Sequence, residues 1–262
     1  MNLDPGLVAA GLGVGLLVGL TGMGAGSLMT PILITVFGIP ASTAVGTDLV
    51  YAAITKAFGA ARHHQLKNVN KELALWMATG SVPAAFFGTF MLYNVFGDNI
   101  NVWLPDVIGI TLVAVGITVA IRTFVTIRGL WDASKLPTDG PLTRRHKAMA
   151  VVIGVIFGFV LGLTSVGSGV FFGMTLVTLF PLSARKVVGT DLLHAFLVTM
   201  AAGLGTILFG VPNYAYVATI LIGSIPGILI GSHFTHRLPE RALRGSLAGV
   251  LALSGLKLLG AF

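Results

Sequence analysis

The chain has 262 residues, of which 55% are hydrophobic and only 10% charged, and its mean hydropathy is +0.94. A soluble domain of this size carries about 25% charge to cover its surface, so the composition excludes one and indicates a polytopic membrane protein. The net charge of +7 is spread over the loops between apolar segments rather than over one face, which fits the positive-inside rule and argues against nucleic acid as a partner.

With no cysteine in the chain, disulfides, thiolate chemistry and Cys-ligated metals are excluded. Met1-Asn2-Leu3-Asp4-Pro5 lacks the cationic stretch of a cleaved signal peptide, so the first apolar segment is expected to stay in the protein. Ten apolar segments follow, at approximately 6–21, 25–38, 42–61, 73–96, 104–122, 147–164, 168–181, 186–209, 214–234 and 242–261. The expected fold is therefore an all-α membrane protein. Its expected parts are an N-terminal transmembrane repeat at 1–125, a cytoplasmic linker at 126–146 and a C-terminal repeat at 147–262.

The halves are related by an offset of 143 residues. Gly11, Gly15 and Gly19 pair with Gly154, Gly158 and Gly162; Gly46-Thr47-Asp48-Leu49 pairs with Gly189-Thr190-Asp191-Leu192. Gly80-Ser81-Val82-Pro83 pairs with Gly223-Ser224-Ile225-Pro226. Residues 11–88 share 22 identities in 78 positions with 154–231, against roughly 6 expected from composition, which indicates internal duplication.

Five segments per half place the two repeats in opposite orientations. Loop charges agree. The loop from Arg62 to Lys71 is basic while its counterpart around Gly210-Val211-Pro212-Asn213 is uncharged, and Ser42-Thr43 is uncharged where Arg185-Lys186 is basic. Arg122, Arg128, Arg144, Arg145 and Lys147 put the linker in the cytoplasm, as His236, Arg237, Arg241 and Arg244 do for the last loop. Both termini are then outside. Segments 25–38 and 168–181, about 14 residues each, fall short of the roughly 20 needed to span, so each is either a crossing or half of a re-entrant hairpin. The number of full spans is accordingly six to ten.

Two Gly-rich breaks carry the first functional expectation. Thr21, Gly22, Met23, Gly24, Gly26 and Ser27 form one, and Thr164, Ser165, Gly167, Ser168 and Gly169 form its copy. Irregular backbone at membrane depth is tolerated where it is buried in protein or lines a wet cavity, and a helix restarting after it offers N–H groups to an anion. The glycines let a ligand approach the backbone and the hydroxyls supply neutral donors. A tight turn or close helix packing is the plain alternative, and packing is the expected use of the Gly11, Gly15, Gly19 ladder. The duplicated pair favours a substrate site.

Thr47, Asp48, Thr190 and Asp191 lie inside apolar segments, where a carboxylate is costly. They serve either in proton coupling, since a carboxyl group out of water takes up a proton more readily, or as hydrogen-bond acceptors that cap a helix break. Both uses are compatible if the aspartates turn away from the ligand. Lys56, matched by Thr199 in the second half, either binds an anionic substrate or extends to the cytoplasmic surface. His194, matched by Tyr51, either relays a proton or packs against a hydrogen-bonded neighbour. No metal site or cofactor is expected. His63 and His64 are adjacent and point in different directions on a helix, and neither a complete P-loop, an HExxH string nor a nucleophile elbow is present.

At Gly19-Leu20-Thr21-Gly22-Met23-Gly24-Ala25-Gly26, at Gly46-Thr47-Asp48-Leu49 and at their copies, the chain resembles the sulfite exporter TauE/SafE family of bacterial and archaeal membrane transporters. The resemblance implies an inner-membrane protein that moves small sulfur-containing anions such as sulfite or organosulfonates. The expected activity is export of such an anion by alternating access, driven by the membrane potential or by protons. An anion channel, or an uptake carrier for another small anion, is the alternative. An enzyme or sensor subunit is disfavoured by the missing catalytic set. The expected partners are the anion, the bilayer and protons.

Overall fold

The structure, a computed structural model, describes residues 4–21, 28–127, 140–167, 169–210, 212–234 and 240–260. Ten α-helices follow one another among them. In chain order they are α1 (Pro5–Thr21), α2 (Met29–Thr35), α3 (Ala41–Gln65), α4 (Lys71–Phe90), α5 (Ile100–Ile127), α6 (Arg144–Thr164), α7 (Val170–Leu179), α8 (Ala184–Phe209), α9 (Tyr214–Phe234) and α10 (Glu240–Leu258). A π-turn and a 3₁₀ turn join α4 to α5.

Among the described residues, five helical stretches are long and apolar enough to cross a membrane: Lys71–Val95, Ile100–Ile121, Arg144–Thr164, Lys186–Phe209 and Tyr214–Gly231. Their large apolar side chains, among them Phe87, Ile110, Ile156, Leu208 and Leu229, face outward, as lipid contact requires. The two short segments form helices of 7 and 10 residues, α2 and α7. At 1.5 Å per residue these reach about 10 and 15 Å, well under a hydrocarbon core of about 30 Å, so neither crosses alone.

Packing follows the glycines. On α1, Gly11 abuts the Ile220 carbonyl and Gly15 that of Ser224, while Gly223 on α9 abuts Val8. The equivalent set joins α6 to α4, with Gly154 on Met77, Gly158 on Ser81 and Gly162 on Ala85. The contacts of Gly11 and Gly15 become those of Gly154 and Gly158 by the 143-residue offset. A Cβ at these positions would overlap a backbone atom of the neighbour, so only glycine lets the pairs approach this closely. Residue numbers rise together in both pairs, so α1 runs parallel to α9 and α6 parallel to α4.

The equivalent helices α3 and α8 meet each other antiparallel: Gly59 rests on Leu192 and Gly203 on Leu49. The pair α5 and α10 does likewise, Gly109 facing Gly255 and Gly116 facing Ala252. The two halves thus exchange helices reciprocally around a centre formed by α3 and α8.

Candidate site between the halves

The two repeated aspartates lie on that central pair, each the eighth residue of its helix. Both are buried, at 0% and 1% exposure. Asp48 stands beside Leu49, level with Gly203, and Asp191 beside Leu192, level with Gly59. In this antiparallel pair Asp191 is level with Ala60, twelve residues from Asp48, so the carboxylates lie about 18 Å apart along the helix axes, towards opposite ends of the seam.

Capping falls to the threonines. The Thr47 hydroxyl accepts from the backbone N–H of Asn213 at 3.1 Å, and Thr190 from that of Asn70 at 2.9 Å. Asn213 and Asn70 in turn cap α9 and α4 through their side-chain oxygens, accepting from Tyr216 and Leu73. Each half therefore pins the start of a helix in the other half. The bonds are again related by the 143-residue offset.

Asp48 does not turn away from the breaks. Its Oδ2 accepts from Thr30 of α2 at 2.6 Å and from Ser165 of the second break at 2.9 Å. Ser165 ends α6 in the left-handed region, φ 60°, which costs a non-glycine residue about 1 kcal/mol and aims its hydroxyl across at α3. Thr164 donates to the Val160 carbonyl, so in this state neither hydroxyl is turned to a ligand. Gly167 turns with φ +96°, where Phe171 occupies the space a side chain would need, and Gly169 precedes α7 with no side-chain cap. Thr21 ends α1. Gly22, Met23, Gly24, Gly26, Ser27 and Ser168 lie outside the described residues.

Lys56 is 6% exposed and does not extend to the surface. It lies on α3 between the levels of the two aspartates and within charge–charge range of both. His194 is fully buried one turn after Asp191. Its Nε2 is 2.7 Å from the Ser81 hydroxyl of α4, its ring meets the edge of Phe172 at 4.2 Å between centroids, and its Nδ1 has no partner. The site is thus two carboxylates, one ammonium and one imidazole, closed by hydroxyls from both halves. It holds one cation that can meet an anion and two acids that can exchange protons. A separate groove of about 530 Å³ on the α3–α8 seam, lined by Val50, Phe58, Phe196, Met200, Leu204 and other apolar residues, suits lipid tails rather than an anion. Among the described residues no His, Asp or Glu cluster fits a metal.

A multi-pass helical bundle with buried charges between interleaved halves defines a membrane transporter rather than an enzyme. Residues 7–258 match the family described as sulfite exporter TauE/SafE, and the chain belongs to it. It is 42% identical over 257 residues to the probable membrane transporter protein YjnA of Bacillus subtilis, covering 97% of this chain and 98% of that one. Similarity extends to the probable membrane transporter protein YdhB of the same species, at 27% identity with 94% and 96% covered. It also reaches the probable membrane transporter protein MJ0441 of Methanocaldococcus jannaschii, at 28% identity with 97% and 95% covered. No solved structure matches.

Sequence reasoning did not single out Thr30, Ser81, Asn70 or Asn213. Ser81 stands in the repeated Gly-Ser-x-Pro string, and Asn70 with Asn213 is one of the 22 identities, so the repeat contained that signal. Thr30 is matched by Gly173 and left none.

Proposed function

We propose that this transporter exports a small sulfur-containing anion, sulfite or an organosulfonate, by alternating access. The observation that carries the reading is Lys56, a buried cation placed between two carboxylates, one of which is hydrogen-bonded to the second Gly-rich break. A buried ammonium in a membrane protein marks an ion pathway. An anion drawn to it meets the second break at Ser165, which is hydrogen-bonded to Asp48. The family's description supports the sulfur chemistry.

Alternating access needs two faces that open in turn. The antiparallel seam of α3 and α8 supports an inverted repeat whose axis lies in the membrane plane, with both termini outside and the linker inside, as the loop charges require. Purified protein in liposomes should carry sulfite or a short sulfonate down its gradient, and substrate on the far side should speed exit, which a channel would not show. Thr21→Val and Thr164→Val should weaken binding of the carried anion. Absence of flux under every imposed gradient would remove this reading.

A further inference from the structure

We infer that anion movement through this site is coupled to a proton carried on Asp191, making the carrier an electroneutral proton–anion symporter for a monovalent cargo. The inference rests on the proposed anion transport and concerns what accompanies the anion; export is then driven by the cargo's own outward gradient, because electroneutral movement draws nothing from the membrane potential.

Charge is the starting point. With both carboxyl groups ionised, Asp48 and Asp191 bring two negative charges and Lys56 one positive, which leaves the buried group one negative charge over. An incoming anion raises the excess to two. The position that repeats Lys56 is Thr199, itself buried, so no second cation meets the cargo there. Three buried negative charges beside one ammonium are not held at membrane depth without a further positive charge. A proton supplies it. The loaded site then carries the same charge as the empty one.

The duplicated carboxylates are not equivalent hosts for that proton. Asp48 accepts from Thr30 and Ser165, an arrangement suited to a carboxylate. At the 143-residue offset Gly173 stands for Thr30 and Gly22 for Ser165, and neither has a side chain to donate. Oδ1 is buried without a partner on both aspartates, so the difference between them lies in the two hydroxyl donors on Asp48 Oδ2. The charged group facing Asp191 from α3 is Lys56, and the titratable neighbour on α8 is His194. Through Nε2 His194 is already engaged with the Ser81 hydroxyl. On the neighbouring helices Glu72 and Lys147 pair with each other, half-exposed, at the starts of α4 and α6. Asp191 is left as the group that gains a proton when the anion takes its place beside Lys56 and loses it when the anion leaves.

Proteoliposomes test this with sulfite and, in parallel, methanesulfonate, which carries no proton of its own. Wild-type influx should acidify the lumen in step with anion entry and change less than twofold when valinomycin and potassium gradients impose a potential. Asp191→Asn, its folding read from its thermal midpoint, should lose lumen acidification with methanesulfonate, and its net flux should follow the imposed potential. Asp191→Glu should restore acidification. Wild-type flux that tracks the potential without proton movement, or that requires sodium, overturns the coupling and leaves the carrier standing. An Asp191→Asn protein still acidifying as wild type does so too. No movement of either anion, even in exchange, overturns the carrier reading and this inference together.

Discussion

Replacing Lys56 by methionine keeps the length of the side chain and removes its charge, taking the buried group from one to two net negative charges. Breaking a buried ion pair in this way costs about 3–5 kcal/mol, because the remaining charge has neither water nor partner. Asp191→Asn does the opposite and leaves Asp48 and Lys56 balanced, so alone it should change stability by less than about 1 kcal/mol. In the double variant the carboxylate that suffered from the loss of Lys56 is gone. The pair should therefore be non-additive, with a coupling energy of about 1–3 kcal/mol favouring the double variant over the sum. Reversible unfolding in mixed micelles, followed by the fluorescence of the three tryptophans, supplies the four free energies of the cycle. Additivity within about 0.5 kcal/mol would mean that Lys56 and Asp191 do not share a field, and would refute the charge argument for the site.

The glycine seams make a sharper steric test. Gly158→Leu drives a side chain into Ser81 and should cost at least about 1–3 kcal/mol with a marked drop in thermal midpoint, whereas Gly13→Leu, with nothing near it, should leave the midpoint unchanged. Thr190→Val takes the acceptor from the Asn70 N–H and should destabilise by about 1–3 kcal/mol, with Thr190→Ser close to wild type in the same melt. Because the chain has no cysteine, single cysteines introduced directly report sidedness. One at position 66 should react with impermeant maleimide only after the cytoplasmic face is opened, and one at position 213 from outside.

Helices and their repeat relation could be read from residues alone, because long apolar runs and paired glycines are local signals. Gly11, Gly15 and their copies even announced close packing, though not that α1 would pack on α9 rather than on a neighbour in sequence. The aspartates inside apolar segments were equally visible, whereas for Lys56 the sequence left open whether it is buried or extends to the cytoplasmic surface. What charged side chains meet was not legible. The bond from Ser165 to Asp48 joins residues 117 apart, and it depends on a left-handed turn that a serine rarely adopts. The division of labour in Gly-Thr-Asp, with threonine holding backbone and aspartate facing charge, likewise emerges only when the halves interlock. Thr30 breaks the repeat, so the asymmetry between the two acids depended on seeing α2 beside α3.

The reciprocal exchange of helices also governs how the chain is made. The seam that buries α1 belongs to α9, whose first residue is 214 − 21 = 193 residues downstream of the end of α1. At about 5–20 residues per second the ribosome needs about 10–40 s to deliver that partner. Through that interval α1 sits in the bilayer with its notched glycine face covered only by lipid or by the insertion machinery. A nascent chain stopped after its first five helices would hold α1 and α4 unmated. Maturation of this transporter is therefore a closing step, completed only as its final helices leave the translocon.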